Sequence, residues 1–474
     1  AGALAWRLSD ESFMEGTRSW LDNLKLRLSY GMAGADNIDA SLWRETWEST
    51  TVTFNGQTYS GYKPSGMLSN PDLKWETTIS RNIGLDFGFF NNRLSGTIDA
   101  YWNTTKDLLM CIPIDETTGY SYQYQNIGQT SNKGIEIALN YDILRTKDFT
   151  LGVSATYNYN HNNIDELADN IIAQYGSQWA SNSTTPTYDY EFREGKSVGL
   201  IRGYICDGYY TTADFNYDPA TQMYTLKPGV ADLGTQVGNY PNHYNLPEGQ
   251  VAFPGAIKLR DLDGNGVAGT EDVADLGEIT HPHTGGFNLN MTWKDIDFSA
   301  GFAWAAGGHV YNVNSLINMY GQKDIALGAN KLEFISDCYQ IYDIQNGELV
   351  RVVEPDALDA LNTGAKYGVP YMENGTVLST FVEDASFLRL NTLTIGYTFP
   401  KAWTKKIGMQ RARVYATAGN LFTITGYSGI DPEVNADPNK STTAANTGNY
   451  PLLGMDYGTY PRARTFTFGV NITF

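Results

Sequence analysis

The 474 residues carry 52 acidic side chains against 33 basic ones, a formal net charge of −19. So acidic a chain is a poor partner for nucleic acid, although acidity alone speaks only for solubility. No run approaches the eighteen or so apolar residues that a transmembrane helix needs. The length suits several soluble domains or one large barrel. The polar overall hydropathy does not exclude a barrel, because a barrel wall is only half apolar and its loops are polar. Aromatic residues make up 13% and glycines number 48, as in a long β-rich chain with interfacial aromatics. Cys111, Cys206 and Cys338 are too scattered for a disulfide framework or a zinc pattern. There is no signal peptide at Ala1, so a chain bound for the outer membrane is expected to be the C-terminal part of something longer.

Residues 3–9 read as a strand. Leu24, Leu26, Leu28 and Tyr30 then alternate with Lys25, Arg27 and Ser29. Side chains on a strand alternate faces, so one face is apolar and the other polar. Ile83, Leu85, Phe87 and Phe89 repeat the pattern, Asn91-Asn92 signals a tight turn, and Leu94, Ile98, Ala100 and Trp102 return. Further hairpins follow. Ile135 to Tyr141 and Phe149 to Tyr159 flank a turn at 145–148, and Phe287 to Trp293 and Ile296 to Trp304 flank Lys294-Asp295. Leu393 to Phe399 and residues 411–422 flank a longer turn at 400–408. The last strand sets Phe466, Phe468, Val470, Ile472 and Phe474 against Thr465, Thr467, Gly469, Asn471 and Thr473.

Short connections alternate with long ones at about 32–76, 106–130, 162–283, 307–384 and 424–462. This is the asymmetry of an outer-membrane barrel, with short periplasmic turns and long extracellular loops. The parity of the turns predicts about eleven strands, the first descending, and therefore partner strands elsewhere, since single-chain barrels have even counts and start ascending. Half of a barrel of about twenty-two strands would fit. The fold class is thus all-β, a transmembrane antiparallel β-barrel. Lumen-facing Asp86, Asp99, Glu136, Asn140, Asn288 and Asn471 would keep its interior wet. The aromatic terminus at Phe474 is expected to matter for assembly.

The clearest chemical motif is Asp261-Leu-Asp263-Gly-Asn265-Gly266, with Asp272 at the twelfth position. Calcium loops place oxygen ligands at positions one, three and five, a glycine at six, a backbone carbonyl at seven and an acid at twelve. Position seven here is Val267, and the twelfth is Asp rather than the longer Glu. A Ca²⁺ ion bound there would stiffen the longest loop, which is expected to hold little core of its own. The alternative is an acidic turn without an ion. Gly195-Lys196-Ser197 lacks the upstream glycine of a phosphate loop, since Tyr190 stands there. His281 and His283 are expected to cap a strand entrance rather than bind metal. Trp43, Trp47 and Trp179 could stack on sugars, but packing inside loops is the stronger expectation. No nucleophile or acid pair stands out, so no enzymatic activity is expected.

Eight segments together resemble the C-terminal half of SusC/RagA-type TonB-dependent outer-membrane transporters of Bacteroidota: 24–31 (LKLRLSYG), 70–76 (NPDLKWE), 133–144 (KGIEIALNYDIL), 203–208 (GYICDG), 254–266 (PGAIKLRDLDGNG), 387–400 (FLRLNTLTIGYTFP), 419–434 (GNLFTITGYSGIDPEV) and 460–474 (YPRARTFTFGVNITF). The resemblance implies a plugged barrel, a SusD-like surface lipoprotein as lid, energy from TonB with ExbB and ExbD, and import of oligosaccharides or peptides. The plug and the TonB-contacting segment have no counterpart in these residues. Rival expectations are a passive porin or adhesin barrel, a surface enzyme carried on a barrel, and a soluble β-rich binding protein.

Overall fold

In the computed structural model, residues 1–35, 42–167, 173–175, 189–234, 246, 250–319, 333–370, 377–434, 454–456 and 459–474 are described. Eleven antiparallel strands form one sheet in strict chain order. They are β1 (Gly2–Arg7), β2 (Leu21–Ala35), β3 (Glu76–Phe89), β4 (Leu94–Lys106), β5 (Gln129–Arg145), β6 (Phe149–Glu166), β7 (His283–Trp293), β8 (Ile296–Ala306), β9 (Phe387–Thr398), β10 (Arg411–Thr425) and β11 (Thr465–Thr473). Among the described residues β1 and β11 are the free edges.

Several strands run further than the alternation suggested. β2 continues to Ala35, β5 starts at Gln129, β6 reaches Glu166 and β9 starts at Phe387. Polar side chains dominate the extensions of β5 and β6 and small ones that of β2, and a register shift near Leu390 interrupts the alternation of β9, so the apolar periodicity fades there while backbone pairing continues. The first strand is shorter than expected: Leu8–Asp10 already forms a 3-10 turn. Asn91 and Asn92 adopt left-handed φ of 56° and 55°, and Lys294 one of 53°, which closes those hairpins. Gly408, at φ 74°, ends the short helical turn after Pro400.

The register carries one apolar face across the whole sheet. Leu28 stands opposite Ile83, Ile83 opposite Ala100, Ala100 opposite Ile135 and Ile135 opposite Tyr159. Later, Leu289 meets Ala300, Ala300 meets Leu393, Leu393 meets Ala418 and Ala418 meets Phe466. Directly opposed residues share a face, and this one is bare: Leu4 is 66% exposed and Phe468 80%.

The long connections are different. The expectation that the longest one holds little core is overturned. Tyr190, Ile201, Tyr204 and Ile257 of the β6–β7 connection pack with Tyr311 and Leu378 of the β8–β9 connection and Met455 of the β10–β11 connection in one buried cluster. Residues His309–Asn312 pair antiparallel with Val382–Asp384 and parallel with Met455–Asp456, which ties these connections together. The aromatics that fill the cluster follow no short period, so sequence alone read the stretch as polar loop. Each large side chain so buried contributes roughly 1.5–3 kcal/mol.

Candidate functional site

The polar face of the sheet is the first candidate. Lys25, Arg27, Asp86, Asp99, Glu136 and Asn288 share it, as the alternation required. The ion pairs along it were not legible in the sequence. Arg27 on β2 donates to Asp86 on β3 at 2.8 Å and reaches across β3 to Asp99 on β4, also at 2.8 Å. It passes over Gly84, where a Cβ would stand 2.4 Å from the Asp99 carboxylate and 2.7 Å from the guanidinium. The design recurs at the other end of the sheet. Arg413 on β10 crosses Gly396 on β9 to Asp297 on β8, with Nε donating at 2.8 Å. Tyr101 on β4 likewise crosses Gly134 on β5 and donates from its hydroxyl to Asn160 on β6 at 2.9 Å. A glycine in a strand marks close approach of another group. Here it lets a long side chain bind the next strand but one while staying flat on the wall. The result is a polar surface on which Lys25, Arg27 and Arg413 are each paired in place with carboxylates.

The second candidate is the acidic loop. Its entry strand, Ile257–Leu259, pairs with Cys206–Tyr209, and its exit, Val267–Ala268, pairs in parallel with Asp232–Leu233. Both arms are therefore anchored in the buried cluster, through Ile257, Leu259, Leu233 and Ala268. Gly264 and Gly266 take φ of 76° and 90°, the left-handed conformations the turn needs. Asp261 accepts from the Gly264 amide at 2.7 Å and the Gly266 amide at 2.8 Å. Asp263 accepts from Asn265, and the Asn265 side-chain oxygen accepts from Val267. Asp272 is fully buried and accepts from the amides of Leu262 at 2.6 Å and Gly269 at 2.6 Å.

The loop thus brings together carboxylate oxygens of Asp261, Asp263 and Asp272, all within 4.8 Å of one another. Ligands at about 2.3–2.6 Å on opposite sides of a Ca²⁺ would stand about 4.6–5.2 Å apart, so the three can share one centre. The carbonyls of Gly266 and Ala268 accept from Asp232 and Gly234. Strand carbonyls alternate in direction, so that of Val267 points the other way, off the pairing edge. No lysine or arginine forms a salt bridge with these acids among the described residues. The amide bonds from Gly266, foremost, and from Gly264 hold the Asp261 carboxyl below its ordinary range.

Other expectations fare unevenly. His283 opens β7 and its Nδ1 lies 2.9 Å from the Tyr157 hydroxyl, while His281 Nε2 lies 3.2 Å from the Ala385 carbonyl. They are placed as strand-entrance groups. Trp43 and Trp47 are each 59% exposed, against the expectation that they pack inside loops. Residues 47–64 form an isolated hairpin, whose two strands offer no core to receive them. Trp179 lies outside the described residues. Cys206 and Cys338 are free thiols.

One cluster was missed. Arg389 on β9 is buried and donates to Asp431 at 2.5 Å, to Glu433 at 3.1 Å and to the Asn420 side chain at 3.3 Å. Arg462 completes it at 3.1 Å from Glu433. Burial pushes the Asp431 carboxyl up, but Arg389, the Glu433 amide and Arg462 outweigh it and hold it low. The four charges come from three of the motif segments, FLRL, IDPE and YPR, and staple both ends of the last long connection to the rim of the wall. Their spacing in sequence gave no hint of contact, although a lone Arg in an apolar strand end was a usable signal.

The chain is 30% identical, over its whole length, to TonB-dependent receptor P3 of Formosa agariphila, of which it covers 41%. It is 28% identical to TonB-dependent receptor SusC of Bacteroides thetaiotaomicron, of which it covers 39%. It therefore spans about two fifths of the length of these curated relatives, which carry receptor names rather than enzyme names. The solved RagAB peptide transporter matches in fold over the whole of this chain and 43% of its own, with a TM-score of 0.68 at 24% identity. The closed-closed state of the RagAB peptide importer gives a TM-score of 0.69. Residues 2–471 match the family described as TonB dependent receptor-like, beta-barrel, and the chain belongs to that family, as strands of an outer-membrane barrel.

Proposed function

We propose that these residues are the C-terminal portion of the barrel of an active importer, which takes up oligosaccharides or peptides across the outer membrane. The observation that carries this reading is the pairing of a polar, charge-balanced inner face with a folded extracellular module above it. A wet wall whose cations Lys25, Arg27 and Arg413 are already paired passes a polar solute without trapping it. A module with a core can hold a defined surface towards a substrate, or towards a SusD-like surface lipoprotein acting as lid. TonB, with ExbB and ExbD, would supply energy through parts of the protein outside these residues. One relative is named SusC and one neighbour is titled a peptide transporter, so both substrate classes belong in the test. Cells carrying the whole protein are given labelled oligosaccharides and labelled peptides, with and without TonB. Import of one class that stops without TonB is the expected result. Import that persists without TonB would mean a passive pore.

The acidic loop serves the same module. Asp261, Asp263, Asn265, the Val267 carbonyl and Asp272 would hold one Ca²⁺, in a structural role. Three clustered carboxylates without a cationic partner favour an ion, and even a weak extracellular site fills where calcium is abundant. Added Ca²⁺ should protect the module from protease, and a chelator should reverse this. Asp263→Ala should abolish the protection while the barrel stays folded. Equal protection of the variant would reduce the motif to a turn.

A further inference from the structure

The apolar face carries a feature that neither import nor the module uses. Arg81 on β3 stands opposite Trp102 on β4, and Trp102 opposite Lys133 on β5. Tyr30 on β2 stands opposite Arg81, and His161 on β6 opposite Lys133. Opposed residues share a face, here the lipid-facing one of Ile83, Ala100 and Ile135. From Phe89 at the short-turn end of β3, Arg81 is about nine residues away, the length of a tilted strand crossing the bilayer core. The row therefore lies at the extracellular interface, level with the headgroups of the outer leaflet.

Its charges differ from those inside. The lumen-facing Lys25, Arg27 and Arg413 all have carboxylate partners. Arg81 and Lys133 have none within salt-bridge distance among the described residues; Arg81 Nη1 donates to the Thr104 hydroxyl at 3.3 Å. Asp165, the carboxylate on which the charge of Lys133 acts, already accepts from Ser131 at 2.8 Å, Asn163 at 2.8 Å and Gln129 at 3.1 Å. Two cations at headgroup level without an ion-pair partner among the described residues, on a chain of net charge −19, attract an anionic lipid headgroup. Next to them runs a groove whose lining includes Leu4, Leu28 and Ile83, with Tyr30 and Trp102 beside the cations.

We propose that this groove seats a phosphorylated glycolipid of the outer leaflet. Its phosphate lies between Arg81 and Lys133, flanked by the Tyr30 and Trp102 rings, and an acyl chain follows Leu28 and Ile83. The inference rests on the membrane location and is independent of the import reading. The test uses the full-length protein in detergent, titrated with phosphorylated lipid A, with the same lipid after enzymatic removal of its phosphates, and with inorganic phosphate. Phosphorylated lipid A should bind and raise the unfolding temperature, and the other two should do so weakly. Arg81→Gln with Lys133→Gln should weaken lipid A binding about tenfold or more, the loss of charge-assisted hydrogen bonds, and leave a heat-modifiable barrel. If the double variant fails to fold, the wild-type comparison of the two lipid forms decides. Equal binding of both forms, equal binding by variant and wild type, or phosphate binding as tight as lipid A would each overturn the proposal.

Discussion

The wall and the extracellular module solve opposite problems with the same side chains. In the wall, large apolar residues point outward and stay largely bare: Leu4, Phe466, Phe468 and Val470 are each more than 60% exposed. In the module, Tyr210, Ile257 and Tyr311 are completely enclosed. The difference is the solvent each meets. The wall's apolar face is satisfied by lipid, so its protein interior can be polar and wet. The module stands in water and must bury its own core. Stability of the two should therefore respond to different insults.

The largest expected effect is in the module. Ile257→Ala should cost it about 2–5 kcal/mol, the range for truncating an enclosed aliphatic side chain. Limited proteolysis should then cut within residues 189–282 while the barrel keeps its heat-modifiable mobility. Loss of the barrel as well would show that the two regions are one cooperative unit.

Next comes the wall's two-faced character. Ile98 faces lipid midway along β4, and Thr97 faces the lumen opposite Asp86. Ile98→Arg should cost about 2–4 kcal/mol near the midplane, read as a lower denaturant midpoint. Thr97→Arg should cost far less, because it meets water and a carboxylate. Equal effects would mean that the faces are misassigned.

A smaller effect tests the arginine crossings. Gly84→Val would put side-chain atoms where Arg27 and Asp99 meet, costing about 1–3 kcal/mol as overpacking does. Restoring space with Asp99→Ala in the same chain should recover part of that loss.

The smallest effect is chemical. Burial raises the Cys338 thiol to about 11, so at pH 7 little of it is thiolate and alkylation should be slow. In a Cys111→Ser/Cys206→Ser background, Ile257→Ala should speed alkylation of Cys338 severalfold, whereas Thr97→Arg should leave it unchanged.

The sequence by itself determined the wall. Period-two alternation is a local property, and each strand declared its two faces, its short turns and its place in the order without reference to any other. It also determined the spacing of the oxygen donors Asp261, Asp263 and Asn265, because that acidic loop is a local backbone shape set by neighbouring residues and by Gly264 and Gly266. The tertiary structure decided what depends on register or on distant segments. Arg27 meets Asp99 because Gly84 stands between them in three paired strands. Arg81, Trp102 and Lys133 form a row for the same reason. The module's core draws Tyr204, Tyr311 and Met455 from three separate connections, and Arg389 on β9 meets Asp431 near the start of the β10–β11 connection while Arg462 reaches the same carboxylate from its end. Such contacts leave no period in the chain, because packing in three dimensions imposes no fixed separation along it.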